Sequence, residues 1–171
     1  QELAPNKVDS ISVNDAKENF LETFQKNLQL NSCGPNKISI HNEDASMFLL
    51  HQTGFDYIEI DPFGTPNPFI SASVARISRG GVIAVTATDT AALTGTYPQV
   101  TKRKYWAHSL KNYMMHEQGI RILIRKIQLQ AMQFDKALTP ILAYHKDHYF
   151  RIYLEVEKSK DSCDEVIAQH Q

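Results

Sequence analysis

Short apolar runs alternate along the chain with stretches in which apolar residues recur every three or four positions. The short runs predict strands, and the longer spacing predicts helices with one buried face. Residues 82–87 are apolar apart from Thr86, a pattern that is typical of a strand buried on both faces. The predicted strands are 11–13, 37–41, 55–60, 82–87, 139–145 and 149–157. One predicted helix follows Asp15, and three more span about 45–51, 68–77 and 116–136.

This order of elements predicts an α/β fold, because alternating strands and helices favour a parallel sheet covered by helices on both faces. The last two strands are joined at Lys146-Asp147, which fits a tight hairpin turn, so a terminal antiparallel strand is expected. Residues 88–110 are predicted to be a long connection, and loops of that length are often functional. Residues 158–171 are expected to be a tail or the stump of a linker.

Capping and turn residues set three expected limits of two helices. Asp15 is expected to cap the helix that follows it, and Asn67 is expected to cap the helix that begins at Pro68. Gly80-Gly81 is expected to stop that second helix.

Charge is distributed unevenly along the chain. Residues 1–75 have a net charge of −6 and residues 76–171 a net charge of +5, so a polyanion is expected to bind the second half. Chance asymmetry on a solvated surface is the alternative. No apolar run approaches the roughly 18 residues that span a bilayer, so no membrane partner is expected.

The two cysteines indicate a reducing compartment. Cys33 and Cys163 lie in polar, loop-like surroundings and neither belongs to a CxxC pair, which argues against a zinc site. The histidines show no ligand spacing either, so no metal is expected. A cytoplasmic location is the simplest interpretation.

The strand at 55–60 ends abruptly at Asp61-Pro-Phe-Gly64. Open α/β sheets bind their ligands at the carboxyl ends of strands. Pro62 stiffens the turn, which would hold a carboxylate and the ring of Phe63 in a fixed relation. A flat base with an exocyclic amine suits this pair, since the ring can stack and the carboxylate can accept the amine hydrogens. The alternative is a turn whose aspartate only caps a helix.

Three more carboxylates follow predicted strands. Asp15 and Asp44 come after the first two strands, where a carboxylate often binds the ribose of a nucleotide-like cofactor, and Asp44 can also accept from an adenine amine. Asp89 ends the fourth strand. Each of the three can instead be a helix or loop cap, but Asp15 and Asp44 together with Asp61 favour a shared pocket.

A basic and aromatic segment lies in the predicted long connection. Lys102, Arg103 and Lys104 are followed by Tyr105 and Trp106, and residues 100–126 contain seven basic residues and one acid. That mixture suits phosphate contact and base stacking, so the three cations are candidate substrate-binding residues. A solvated basic face is the alternative. The chain has neither a GxxxxGK[ST] nor a GxGxxG sequence, so a P-loop and a nicotinamide site are not supported.

Several stretches, taken in order, resemble one family over about residues 8–157. The chain is similar to the tRNA guanine-26 N2-dimethyltransferases, and the DPFG, TATDT and HYFRIY blocks in that order make the resemblance specific. The stretches are Val13-Asn-Asp15, Asn42-Glu-Asp-Ala45, Asp56 to Pro66, Ala84 to Thr90, His116 to Leu123 and Asp147 to Tyr153.

The resemblance implies a class I methyltransferase, with a Rossmann-like sheet, that uses S-adenosylmethionine to methylate or dimethylate N2 of a guanine, expected at position 26, in tRNA. It implies that Asp15 grips the ribose of the cofactor and that Asp44 and Ala45 lie on its adenine side. It also implies that Asp61 is the catalytic carboxylate and that Phe63 stacks on the target guanine.

The family also has features that this chain lacks. Its first strand and a glycine-containing turn precede the position of Asp15, and that strand lies between the strands that end at Asp15 and Asp61. Residues 1–157 are therefore expected to be a partial catalytic domain that lacks its first strand, and a separate amino-terminal fragment is expected to complete it.

Two other functions stay open at this point. One is a non-catalytic remnant that binds tRNA. The other is an amino-methyltransferase of the same fold that acts on adenine or on a protein amide. Enzymes of the latter kind usually have a proline pair and an aromatic residue where this chain has Pro62-Phe63-Gly64.

Overall fold

A computed structural model describes residues 7–32 and 37–170. The chain divides into two compact units, residues 1–52 and residues 53–171. Across the described ranges, no helix is long and apolar enough to cross a membrane. Cys33 lies outside the described residues.

The first unit is a small parallel βαβα arrangement. Strand β1 is Ile11–Asn14 and strand β2 is Ile38–His41, and they pair in parallel with Ile11 opposite Ile38. The helices are α1, Phe20–Leu30, and α2, Ala45–His51. Because the two strands are parallel, the residues that follow Asn14 and His41 emerge at the same edge of the sheet.

The two helices of this unit begin differently. Asp44 caps α2, since its Oδ1 accepts hydrogen bonds from the backbone N–H groups of Ser46 and Met47, both at 3.0 Å. The expectation that Asp15 caps α1 is wrong. That helix begins at Phe20, and the Asp15 carboxylate instead accepts from the Lys17 N–H at 2.8 Å in a local turn.

The second unit contains a four-stranded mixed sheet. Its strands are β3, Phe55–Ile60; β4, Ile77–Ala87; β5, Lys136–Lys146; and β6, Tyr149–Lys158. Their order in the sheet is β3-β4-β6-β5, with β3 and β4 parallel and β6 antiparallel to both of its neighbours. The predicted terminal hairpin is confirmed, and Asp147 supplies the positive φ of 47° that its tight turn requires.

Five helices accompany this sheet. They are α3, Asn67–Arg76; α4, Thr90–Leu93; α5, Pro98–Tyr105; α6, Met115–Met132; and α7, Lys160–Ala168. The prediction of a structureless connection over 88–110 is wrong, because α4 and α5 lie in it. Pro98 starts α5 at a favoured position, and the fully buried ring of Tyr105 anchors its end.

Two expected helix limits also differ. Asn67 is the first residue of α3 rather than its cap, and its side-chain amide donates to the Lys104 carbonyl at 2.8 Å. The glycine pair does not stop this helix. The chain turns into β4 at Ile77, and Gly80 lies within that strand at a φ of 75°.

The core of the second unit lies between α6 and the sheet. The apolar stripe of α6 includes the fully buried Leu123, Ile127 and Ala131. Gly119 of the same helix allows a close approach to the buried ring of Phe150, since a Cβ at Gly119 would lie 2.8 Å from that ring. This close packing fixes the strand that carries the HYFRIY block against the long helix.

Residues 160–168 form α7, in the segment for which the sequence predicts a tail or linker. Ser159 caps the helix by accepting from the Ser162 N–H at 3.1 Å. Cys163 is buried rather than exposed in a loop, and His170 Nε2 lies 2.8 Å from Gln128 Oε1 of α6. The division of the chain at residue 157 stays a prediction.

Each sheet has an open strand edge. Among the described residues, β1 pairs only with β2, and β3 pairs only with β4. The α/β class, the parallel pairs and the terminal hairpin are as predicted, and the described strands do not include one between the strands that end at Asn14 and Ile60.

Candidate functional site

The turn after β3 presents two side chains to solvent. Asp61 is exposed, and Phe63 is 103% exposed, so none of the described residues covers its side chain. Isolated exposed apolar residues are common, but a phenyl ring held clear of the surface beside a carboxylate is a ready contact for a flat ligand.

The backbone of this turn is fixed from the neighbouring loop. The Gly64 N–H donates to Thr88 Oγ1 at 2.6 Å, and the Thr88 N–H donates back to the Gly64 carbonyl at 2.9 Å. Gly64 has a φ of 82°, a left-handed conformation that glycine adopts without strain. Two reciprocal bonds therefore hold the backbone of the residue next to Phe63, whose own side chain is fully exposed.

Tyr105 provides a second anchor for the turn. Its hydroxyl lies 2.6 Å from Asp89 Oδ1 and 3.0 Å from Thr65 Oγ1. A phenol has one proton, and the carboxylate is the stronger acceptor, so Tyr105 donates to Asp89 and the Thr65 hydroxyl donates to Tyr105. Burial and the adjacent carboxylate raise the pKa of Tyr105 well above its ordinary value, so the phenol stays protonated.

Asp89 is part of this anchor rather than a second exposed carboxylate. Its side chain is only 15% exposed, and Oδ2 is buried without a hydrogen-bond partner among the described residues. Lys104 Nζ lies 3.7 Å from Oδ2, outside hydrogen-bonding distance but close enough to balance the charge. Asp89 therefore acts on the turn through Tyr105.

The candidate cofactor residues lie together in the first unit. The side-chain amide of Asn42 donates to the Asp15 carbonyl at 2.6 Å and to the Lys17 carbonyl at 2.9 Å. This bond joins the segment after β1 to the segment that leads into α2, where Asp44 and Ala45 lie. The Asp15 carboxylate is exposed at this edge of the parallel pair.

The sequence-predicted residues thus form two groups. Asp15, Asp44 and Ala45 are brought together in the first unit, and Asp61 and Phe63 share one turn of the second unit. That the two groups share a pocket stays a prediction.

The three cations of the basic segment lie on α5, and the two aromatic residues that follow them differ in exposure. Lys102, Arg103 and Lys104 occupy the last turn of the helix and are exposed. Tyr105 is fully buried and cannot stack on a base, whereas Trp106 is 55% exposed. The expectation of two stacking aromatics is therefore wrong for Tyr105.

A network on one face of the sheet was not predicted from the sequence. Arg151 of β6 binds both carboxylate oxygens of Glu59 on β3 and donates to Thr86 Oγ1 on β4 at 2.6 Å. Tyr57 donates to Glu59 Oε2 at 2.6 Å. Burial alone would raise the pKa of Glu59, but the hydrogen bonds from Arg151 and Tyr57, with the charge of Arg151, outweigh it and keep that pKa below its ordinary value.

The alternation of buried and less buried residues along β6 is the sequence feature that could have predicted this network. Phe150, Ile152 and Leu154 are buried, so Arg151 must lie on the opposite face. The pairing of Thr86 with Arg151 in the ladder then places the arginine beside β4. The alternation is visible in the sequence, but the order β3-β4-β6 is not.

Comparison with known proteins identifies close relatives of the whole chain. A family model described as N2,N2-dimethylguanosine tRNA methyltransferase matches residues 2–171. The tRNA (guanine(26)-N(2)/guanine(27)-N(2))-dimethyltransferase of Aquifex aeolicus is 42% identical over 169 residues, which cover 98% of this chain and 43% of that protein. The tRNA (guanine(26)-N(2))-dimethyltransferase of Methanobrevibacter smithii is 40% identical over 95% of this chain and 42% of its own length.

Solved structures agree with the sequence relatives. Trm1 from Pyrococcus horikoshii, solved with S-adenosyl-L-methionine, superposes with a TM-score of 0.87 at 33% identity over 92% of this chain and 46% of that one. TYW2 of M. jannaschii, solved with AdoMet, has a TM-score of 0.57 at 14% identity over 91% of this chain and 61% of its own, a likeness of fold alone. The chain spans less than half the length of the curated relatives that it matches.

Proposed function

Since the chain belongs to the N2,N2-dimethylguanosine tRNA methyltransferase family, we propose that the protein that carries it methylates the N2 amine of a guanine in tRNA. Position 26 is the proposed target, because it is named for both of the curated dimethyltransferases described above, from Aquifex aeolicus and Methanobrevibacter smithii. The donor is S-adenosylmethionine, and the reaction takes place in the cytoplasm.

One observation carries the proposal from geometry to chemistry. The exposed ring of Phe63 and the exposed carboxylate of Asp61 stand two residues apart on a turn that is fixed at Gly64 and Thr65. A guanine that stacks on the ring can place its amine within reach of the carboxylate. A carboxylate held in place restricts the bound guanine amine to orientations from which it can react, and such orientation contributes much of an enzyme's rate enhancement.

Asp61 has two tasks in this mechanism. The guanine amine is a weak nucleophile, because its lone pair is delocalised into the ring. Asp61 accepts a hydrogen bond from the amine, which orients the nitrogen, and then takes the proton that the nitrogen loses when it gains a methyl group. Phe63 holds the base by stacking, and Thr88 and Tyr105 keep both residues in place.

The first unit has the donor set that the cofactor requires. The exposed carboxylate of Asp15 suits a pair of ribose hydroxyls, and the segment at Asp44 and Ala45 lies at the same edge of the β1–β2 pair. Both fit S-adenosylmethionine, which supplies an electrophilic methyl group when bound. Asp44 keeps its capping bonds to α2 in this role, since they use Oδ1.

The exposed cations on α5 are proposed to contact the phosphates of the tRNA. Lys102, Arg103 and Lys104 lie on the helix whose end also anchors the catalytic turn through Tyr105. Phosphate contacts of this kind set the position of the RNA without reading its sequence.

We further propose that a strand from another segment or a separate polypeptide pairs with the open edge of β3. Ile58 and Ile60 of this strand are buried, and among the described strands β3 pairs only with β4. Unpaired ladders favour the addition of a strand. An amino-terminal fragment that supplies this strand would complete the fold.

The test is methyl transfer from labelled S-adenosylmethionine to an unmodified tRNA transcript, with nucleoside analysis of the product. The full polypeptide is compared with its Asp61→Ala variant, and circular dichroism checks folding. We expect N2-methylated and N2,N2-dimethylated guanosine from the wild type and a loss of about 100-fold or more in the variant. Methylated adenosine as the product, or full activity in a folded variant, would contradict the proposal.

A further inference from the structure

Trp106 has a backbone conformation that its side chain disfavours. It follows the last residue of α5 with φ 55° and ψ 36°, in the left-handed region, where its N–H closes the helix onto the Lys102 carbonyl. Left-handed backbone at the end of a helix normally belongs to glycine, because a Cβ is strained there. Strain of this kind persists where neighbouring contacts hold it, and it is often found at binding sites.

Two cations of α6 hold Trp106 in place. Lys126 Nζ lies 2.9 Å from the centroid of the Trp106 ring, and Arg125 donates to the Trp106 carbonyl at 3.2 Å. Lys126 is only 4% exposed, so its ammonium is covered in part by the indole. A cation at this distance over an indole is attracted by the ring electrons, most strongly when water is excluded.

Lys126 covers one face of the Trp106 ring, and from the exposure of the residue we infer that the other face is open to solvent. The ammonium of Lys126 covers one face, while the residue as a whole keeps 55% of its surface exposed. A rigid aromatic ring with one open face needs little ordering when a flat ligand stacks on it, so stacking there loses little conformational entropy.

The surroundings of the open face favour an anionic ligand with flat rings. Lys102, Arg103 and Lys104 occupy the helical turn directly before Trp106, and all three are exposed. Between residues 97 and 125 there are six basic residues and one acid, Glu117, which pairs with Arg121 at 2.7 Å. Phosphates beside a stacked base would meet these cations, which is how single-stranded RNA is commonly bound.

We propose that the open face of Trp106 is a stacking site for one unpaired nucleobase of the RNA substrate, with the adjacent phosphates on the α5 cations. This inference rests on the proposed function, because it takes RNA as the ligand. It adds a site that is separate in sequence from the Asp61–Phe63 turn and that acts in binding rather than in methyl transfer.

Tryptophan fluorescence provides a direct test, because Trp106 is the single tryptophan of this chain. The full polypeptide is titrated with unmodified tRNA transcript and with an unstructured RNA oligonucleotide, and the Trp106→Phe variant is subtracted. We expect saturable quenching that depends on Trp106, since a stacked base quenches the indole. RNA binding without any quenching assigned to Trp106 would overturn the inference.

Variants separate stacking from a structural role. Trp106→Gly removes the ring and also relieves the left-handed strain, so thermal stability should be kept while the dissociation constant for RNA rises about tenfold or more. Trp106→Phe keeps a ring and should stay within about threefold of the wild type. Tyr113→Ala is the control, since Tyr113 is 94% exposed in the segment before α6, and its loss should leave affinity unchanged.

The outcomes also separate this inference from the proposed function. Methyl transfer by the wild type together with unchanged RNA affinity in Trp106→Gly would overturn the stacking site and leave the function standing. An equal loss of affinity in Tyr113→Ala would also overturn it, because any exposed aromatic would then serve. A wild type that neither binds tRNA nor methylates it would contradict both proposals.

Discussion

The hydroxyl of Tyr105 is a specific point at which to perturb the Asp61–Gly64 turn, the proposed site of methyl transfer. Tyr105→Phe removes one oxygen atom from a fully buried side chain and leaves the ring that anchors α5. The change deletes the 2.6 Å bond to Asp89 Oδ1 and the 3.0 Å bond to Thr65 Oγ1. No backbone or capping interaction of α5 depends on the hydroxyl, so any change in the variant reflects the loss of the Asp89–Tyr105–Thr65 hydrogen bonds.

The expected magnitude follows from the two bonds. A hydrogen bond to a charged group contributes about 1.5–3 kcal/mol, and one between neutral groups contributes about 1 kcal/mol. Asp89 is 15% exposed and its Oδ2 already lacks a hydrogen-bond partner among the described residues, so water compensates only in part. We expect Tyr105→Phe to lower the free energy of unfolding by about 2–3 kcal/mol.

Three assays measure this prediction. Urea unfolding gives the loss of stability, and hydrogen exchange should become faster at the Gly64 and Thr88 amides, which form the reciprocal bonds of the turn. Methyl transfer should slow by about tenfold with tRNA affinity unchanged, because the turn loses its position rather than its contacts. Tyr97→Phe is the control, since Tyr97 is 59% exposed. Unchanged stability and unchanged exchange in Tyr105→Phe would refute the reasoning.

Three further predictions follow from other contacts. Burial raises the pKa of Glu59, but Arg151 and Tyr57 outweigh it and lower that pKa from its ordinary 4.5. The extra stability of the wild type over Glu59→Gln should therefore be fully present above pH 4.5 and be lost as pH falls below it. Urea unfolding from pH 6 to pH 2.5 measures this difference, and a difference that stays constant with pH would contradict the prediction. Burial lowers the pKa of Lys126 from 10.5 to about 8, so between these pH values the folded chain binds fewer protons than the unfolded chain. The stability of the wild type relative to Lys126→Met should therefore rise from pH 8 to pH 10.5. A difference that does not change with pH in the same assay would contradict this prediction. Gly119→Ala should cost about 1–3 kcal/mol, because the new Cβ would lie 2.8 Å from the buried Phe150 ring, and a melting temperature equal to the wild type would show that the packing is looser than described.

The fold was largely predictable from periodicity. The six strands and four of the helices have strong apolar patterns, and the parallel order follows from their alternation. Helices α4, α5 and α7 escaped prediction, the first two because their local sequence is rich in threonine, glycine and charge. Helices α4 and α5 are stabilised by the contact of Tyr105 with the distant Thr65 and by the buried Thr101–Ser109 bond at 2.8 Å.

The candidate site residues could be named from the sequence, and their roles stay predictions, but the contacts that support the turn could not be predicted. Asp61 and Phe63 stand out because a stiff turn follows a strong strand. Tyr105 and Thr65 are separated by 40 residues, and Arg151 and Glu59 by 92, so no local pattern could pair them. The alternative that Asp44 caps a helix is confirmed and the predicted cap at Asp15 is wrong, since the same short carboxylate side chain can serve a cap or a local turn.

The central claim is that the Asp61 carboxylate handles the amine of the target guanine. The most direct measurement is the single-turnover rate of methyl transfer by Asp61→Asn, with tRNA affinity measured in parallel and Asp56→Asn, an exposed acid of β3, as the matched control. We expect the Asp61→Asn variant to bind tRNA like the wild type and to transfer the methyl group at least about 100-fold more slowly, while the Asp56→Asn control keeps the wild-type rate. A wild-type rate in Asp61→Asn, or an equal loss in Asp56→Asn, would contradict the assignment.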